Sequence, residues 1–299
     1  TDNAWAIARE KMYYKSMNGL PLMISIAGRP YIDTRLSFSS YLPKNLSNSL
    51  SNKLVNIWLR KLSNNPQFHD KIEFDVAITC YSFDINEKLN SSDYDSISKK
   101  EKQVYKSELK KQFNKIIRSD CNSSIDMSLK KIDSLIKLQR NYKNYEFKDL
   151  KLIADDCIKF GTIPFSILAR HGFIAKTLID SLKNINILNQ ADVDSIFNSV
   201  KTITSDFMKD ISSLNRGVIN INFFKEKYGH LRPGTYDLNS KSYRKIINIF
   251  TNQKVDIIAH QKPKISKEKI KIINRFLKKN RVNLDYKSLL NYVNKAIRG

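Results

Sequence analysis

Residues 160–182 read "FGTIPFSILARHGFIAKTLIDSL", and the fold class turns on whether this run is a helix. Pro164 suits the first turn of a helix, where a missing N–H leaves nothing unsatisfied. Beyond it the run reads as helix straight through Gly172. An interior glycine costs about 1 kcal/mol against alanine, so its ordinary explanation is the close approach of another helix. A ligand or a catalytic loop pressing on that point is the sharper alternative.

The flanking segments follow the same pattern. Upstream, Tyr105, Leu109, Phe113 and Ile116 fall at i, i+4, i+8 and i+11, and Ile125, Leu129, Ile132 and Ile136 repeat the spacing. Lys-rich faces opposite them read as solvated surface. Downstream, residues 190–214 give another helix. Three shorter amphipathic segments follow, the last carrying Tyr286, Leu290, Val293 and Ile297. Residues 44–63 are helical in pattern, as is the start, "TDNAWAIAREKMYYKSM".

Two stretches break the pattern. In "LPLMISIAGRPYIDTRLSF" two short runs flank a glycine-containing turn, which predicts a β-hairpin. Its second strand would put Tyr31, Asp33 and Arg35 on one face. "KIEFDVAITCY" alternates, predicting a further strand with Ile72, Phe74, Val76, Ile78 and Cys80 on one face. The expected class is mainly α: one multi-helix domain over 1–299, β-containing to about residue 85 and helical from about 86, with a small hairpin and one further short strand. The chain begins at Thr1, so it is expected to be a piece of a longer protein.

Composition excludes several classes. No run approaches eighteen apolar residues and no signal-peptide core opens the chain. The three cysteines, Cys80, Cys121 and Cys157, are odd in number and far apart. They form no disulfide framework or zinc pattern, and read as free thiols of a cytoplasmic protein. Net charge +23 invites a polyanionic partner. However, the 52 basic residues are 39 Lys and 13 Arg, scattered among Asn and Ile with no nucleic-acid-reading pattern. A basic helical polyanion-binding module stands as the alternative; nucleic acid and membrane are not the expected partners.

The eight glycines never cluster into a phosphate-binding loop, and no nucleophile elbow or H-E-x-x-H motif occurs. Two of the glycines bracket His230 to Pro233 in "YGHLRPGTYD", residues 228–237. His230 can exchange protons near neutral pH, and Arg232 offers a planar fork for carboxylate or phosphate. Tyr228 and Tyr236 flank them, Asp237 could orient either, and the glycines could supply positive φ. A tight structural loop is the plain alternative. Arg29, Tyr31, Asp33 and Arg35 form a second constellation, an anion-binding face or a surface ion-pair network. Arg170 beside His171 is a third.

Taken together, "TDNAWAIARE", "IAGRPYIDTRLSFSSYLP", "KIEFDVAITCYSFD", "LARHGFIAK" and "FKEKYGHLRPGTYDL" resemble the central part of bacterial phosphotransferases related to phosphoenolpyruvate synthase. Within that group the chain is most similar to the L-glutamine kinase type, which serves phosphoramidate decoration of capsular polysaccharide. Rifampin phosphotransferases look like more distant relatives. The resemblance runs from residue 1 to about 245. It implies a three-part enzyme: an ATP-grasp-type module binding ATP and magnesium, a mobile phosphohistidine domain, and this chain as the acceptor-binding domain. The fragment alone would then hold no cofactor and be inactive. The acceptor would be the amide of L-glutamine, or in the same family another amide, a hydroxyl compound or an antibiotic. His230 and Arg232 would be catalytic, with Arg35, Tyr31, Arg29, Tyr236 and Arg170 binding substrate.

Overall fold

The computed structural model describes residues 2–117, 123–139, 142, 145–234, 239–246 and 262–298. The class is mainly α. In chain order come α1 (Asp2–Lys11), the hairpin strands β1 (Met23–Ile26) and β2 (Arg29–Ile32), α2 (Thr34–Ser39) and α3 (Asn48–Asn64). Then follow α4 (Ile85–Leu89), α5 (Lys99–Ile116), α6 (Ser124–Gln139), α7 (Leu150–Cys157) and α8 (Ile163–Asn184). The chain continues as α9 (Gln190–Asn198), α10 (Ile203–Asn215), α11 (Ile221–Tyr228), α12 (Tyr243–Ile246), α13 (Lys267–Lys279) and α14 (Tyr286–Arg298). Two compact units emerge, one of residues 1–193 with 265–297, the other essentially 194–264. Among the described residues no helix is long and apolar enough to cross a membrane.

The hairpin forms where expected, but it is shorter. Ala27 and Gly28 both take positive φ, 49° and 77°, the geometry of a two-residue hairpin loop. The ladder runs from Ile26 opposite Arg29 to Met23 opposite Ile32. It stops there because the Asp33 carboxylate accepts the Leu36 N–H at 2.9 Å and caps α2. Arg35 therefore sits on a helix, not on a strand face beside Tyr31 and Asp33.

The predicted further strand is corrected as well. Ile72–Val76 coils into a π-helical turn, with the Ala77 N–H on the Ile72 carbonyl at 2.9 Å. From Val76 to Ile85 the chain then passes through the interior without a strand partner. Side chains replace the missing ladder. Tyr105 Oη donates to the Ile78 carbonyl, Tyr14 Oη to the Thr79 carbonyl at 3.1 Å, and Ser181 Oγ accepts the Phe83 N–H at 3.1 Å. Buried backbone polar groups need partners of some kind, and side chains from α5, α8 and the segment after α1 supply them here. The period-two signal fails over Ile72–Val76, which is helical, and beyond it corresponds to no strand.

α7 and α8 run on as one helical path through a second π turn, Ile158–Thr162. Pro164 has no N–H to offer the carbonyl one turn back, and the chain widens just ahead of it. Pro164 sits in the first turn of α8, as expected, at the junction with the π turn. α8 is the central strut, burying Ile167, Leu168, Ile174, Leu178, Ile179 and Leu182. Gly172 faces α14: a Cβ there would meet the Ala296 carbonyl at 3.5 Å. That is an ordinary van der Waals distance, so α14 is the neighbour of this glycine but leaves room for a methyl.

The region read as one helix over 190–214 is two, α9 and α10, with Thr202 opening α10 through a reciprocal cap with Ser205. The second unit centres on Ile211, Phe224 and Tyr228, with Phe207, Leu214 and Leu231 packed around them.

Candidate functional site

The first unit gathers its polar chemistry at the buried face of α8. Arg170 is 3% exposed. Its Nε donates to Tyr14 Oη at 2.6 Å, one Nη to Glu73 Oε2, and the other to the Thr79 carbonyl at 2.9 Å and Thr79 Oγ1 at 2.7 Å. Tyr41 Oη donates to the second Glu73 oxygen. Burial raises the Tyr14 hydroxyl, with the Arg170 charge opposing that rise, so Tyr14 stays protonated and donates to Thr79. A buried arginine is tolerated because its carboxylate partner and nearly all its donors are matched.

The network forms one wall of a cavity of about 400 Å³ between α1 and α8. α1 contributes Ala4 and Ala8 on one stripe, continued by Met12 just past its end, and Trp5 and Arg9, four residues apart, on the next. Its buried alanines let it lie close to α8. α8 contributes Phe165, Ser166, Ala169, Arg170 and Phe173. The two π turns complete the lining, one with Glu73, the other with Ile158 and Thr162. Such turns recur at functional sites because they re-aim single side chains.

Arg9 differs from Arg170. Its guanidinium carbon lies 4.0 Å from the Tyr41 ring centroid and 5.7 Å from that of Tyr14. Its buried Nε has no hydrogen-bond partner among the described residues. Arg170 is consumed by the fold, whereas Arg9 is held in place by aromatic stacking and retains a donor. Beside it, the Glu73 carboxylate keeps acceptor capacity beyond its two bonds.

Glu73 also borders a second cavity of about 460 Å³, with Lys61, Lys88, Asp93, Asp180 and Asn184. Behind its Lys88 and Asn184, Asp84 is buried and held by Ser82 at 2.6 Å, Asn184 at 2.7 Å and the Lys88 ammonium at 3.0 Å. Burial alone would raise its carboxyl. The hydrogen bonds from Ser82 and Asn184 and the Lys88 charge outweigh burial and hold it below the usual range.

Among the residues singled out from sequence, Arg170 lines the cavity. Arg29, Tyr31 and Arg35 do not; all three are exposed, and Arg35 donates to Asn56 Oδ1 at 3.0 Å. His171 is fully buried, with Nε2 2.7 Å from Ser124 Oγ and Nδ1 3.1 Å from Tyr292 Oη. Burial, then the neighbouring Arg170 charge, lowers it to about 3. It is a neutral pin joining α6, α8 and α14.

In the second unit, His230 and Arg232 are exposed just after α11. Tyr228 belongs to the core and donates to Asp210 Oδ2 at 2.8 Å, so it does not flank a site. Gly229 has φ −61°, not the expected positive value. Its glycine is needed for approach: a Cβ would stand 2.2 Å from the Lys225 carbonyl oxygen and 3.2 Å from Arg244 Cβ. Tyr236 and Asp237 lie outside the described residues, as does Cys121. Cys80 and Cys157 are free thiols. Among the described residues no group of three or more His, Cys, Asp or Glu side chains could hold a metal ion.

Arg9, Tyr14, Tyr41 and Glu73 were not singled out from sequence. Glu73 carried no distinguishing signal, since Asp75 shares its face of the alternation; for Arg9 the signal was the i, i+4 pairing with Trp5.

No family model, curated protein or solved structure matches the chain.

Proposed function

We propose that this chain is the acceptor-binding part of an ATP-dependent, phosphohistidine-mediated kinase, and that its small-molecule acceptor sits in the cavity between α1 and α8. One observation carries the reading: an arginine stacked on Tyr41 and a carboxylate, Glu73, line the same cavity of about 400 Å³. That volume lies within the range of small-molecule sites, roughly 300–1,000 Å³. The two opposite charges suit a zwitterionic amino acid, with its α-carboxylate on Arg9 and its ammonium on Glu73. Thr162 and Ser166 offer hydroxyls to a side-chain amide, which fits L-glutamine as the acceptor. Arg170 positions Glu73 and takes no part in contacting the acceptor.

ATP and magnesium belong, in this reading, to a neighbouring module of the intact enzyme. His230 and Arg232, in the second unit, are the residues this reading assigns to catalysis, a guanidinium for the phosphoryl charge and an imidazole for proton transfer. Cytoplasmic residence follows from the same reading.

A thermal-shift panel of amino acids tests the acceptor, with stabilisation by L-glutamine expected at constant ionic strength. Stabilisation by polyanions alone, falling steeply between low and moderate salt, would favour the basic binding module instead. In the intact enzyme, His230→Ala is expected to spare phosphohistidine formation and slow transfer to the acceptor. Normal acceptor turnover in that variant would remove His230 from the mechanism.

A further inference from the structure

A third cavity, of about 300 Å³, opens where the end of α1, the end of α5 and the start of α6 meet the start of α8. Its polar lining is one-sided. Lys11, Lys115 and Lys131 contribute three ammonium groups and Ser123, Ser124 and Ser128 three hydroxyls, those of Ser123 and Ser124 already bonded to Asp126 and His171, and no carboxylate stands among its described lining residues. None of the three lysines forms an ion pair among the described residues, in a fold where ten other carboxylate–cation pairs do form. Asp126, in the first turn of α6, is taken by Ser123 at 2.6 Å and Lys295 at 3.2 Å.

Lys11 and Lys115 are exposed and Lys131 half-buried, and Lys11 and Lys131 stand close together. Lys131 is lowered first by burial and then by Lys11, whose ammonium is close enough to compete with it. Lys115 is held 5.2 Å from the ring centroid of Tyr13, itself at an unusual φ of 60° and part of the lining. Like charges gathered in a concave site destabilise the empty fold unless an anion joins them. The start of α6 adds the positive end of a sixteen-residue helix. The opposite wall is apolar, formed by Ile116, Ile163 and Ile167.

We propose that this cavity binds a small phosphate monoester, with Lys11, Lys115 and Lys131 around the phosphate and the isoleucine wall against its organic group. The site is separate from the acceptor cavity and stands whether or not that reading holds.

Isothermal titration of the whole chain at fixed ionic strength tests it, with orthophosphate and glycerol 3-phosphate as probes and chloride as background. The ester is expected to bind more tightly than orthophosphate, and Lys131→Met to weaken both at least tenfold. Without ligand, Lys131→Met is expected to melt no lower than wild type, since it relieves repulsion; this separates loss of binding from loss of fold. The proposal is overturned if neither probe binds above chloride or if Lys131→Met binds as wild type does. Equal affinity for the two probes would remove the ester, and tighter binding to phosphatidic acid vesicles than to glycerol 3-phosphate would replace a metabolite with a lipid surface.

Discussion

Acid should destabilise this protein through one histidine. His171 is buried between Ser124 and Tyr292, and burial with the Arg170 charge lowers it to about 3. In the unfolded chain an imidazole titrates near about 6.5. Between those values the unfolded state binds a proton that the folded state refuses, so stability falls as pH drops below the unfolded value. From pH 7 to pH 5 the linkage amounts to about 1.9 kcal/mol for a single histidine. His171→Gln keeps one hydrogen-bonding partner and cannot titrate. Urea unfolding of wild type and His171→Gln, each at both pH values, isolates the term, because carboxylate contributions are common to both proteins and cancel. Trp5 and Trp58, the two tryptophans, both lie in the first unit and report its unfolding by fluorescence. The wild type should lose about 1.9 kcal/mol more than the variant on acidification. Equal losses would show that His171 is protonated in the folded state, and the reasoning from its burial would be wrong.

Three further substitutions probe the packing. Arg170→Met leaves Glu73 buried without its cation and the Thr79 carbonyl short of a donor. It should cost about 3–5 kcal/mol in urea unfolding, with Glu73→Gln added to it recovering part of the loss. Gly172→Ala should stabilise the first unit by up to about 1 kcal/mol, because a Cβ meets only the Ala296 carbonyl at 3.5 Å while helix propensity improves; a lower melting temperature would mean the helices cannot accept a methyl there. Gly229→Ala must displace the Lys225 carbonyl or Arg244. Hydrogen exchange should quicken at the Tyr243 and Arg244 amides, which bond the Leu231 and Gly229 carbonyls at 2.9 and 3.2 Å, and unchanged exchange would refute the close approach.

The helical class was legible because amphipathic spacing is local, and the hairpin because Ala27-Gly28 is a local turn. The path of residues 72–85 was not. Alternation predicted extended backbone even over Ile72–Val76, which coils, and it says nothing of what satisfies the path beyond, where tyrosines and an arginine from distant segments do so. The site suffered likewise. Exposed arginines on the hairpin are as conspicuous in sequence as buried ones, while Glu73 and Arg9 gain meaning only once the π turn and α1 bring them to α8. Gly229, before His230, marked a real constraint, but its cause was close packing against Lys225 and Arg244, which no local pattern encodes.

The central claim is that Arg9 receives the acceptor's carboxylate. Calorimetric titration of L-glutamine into wild type and Arg9→Met tests it, since the variant keeps side-chain length and loses only the charged donor. Removing a hydrogen bond to a charged group is worth about 1.5–3 kcal/mol, so affinity should fall roughly 10- to 100-fold in the variant. Equal affinity in the two proteins, or no binding by wild type, would contradict the account.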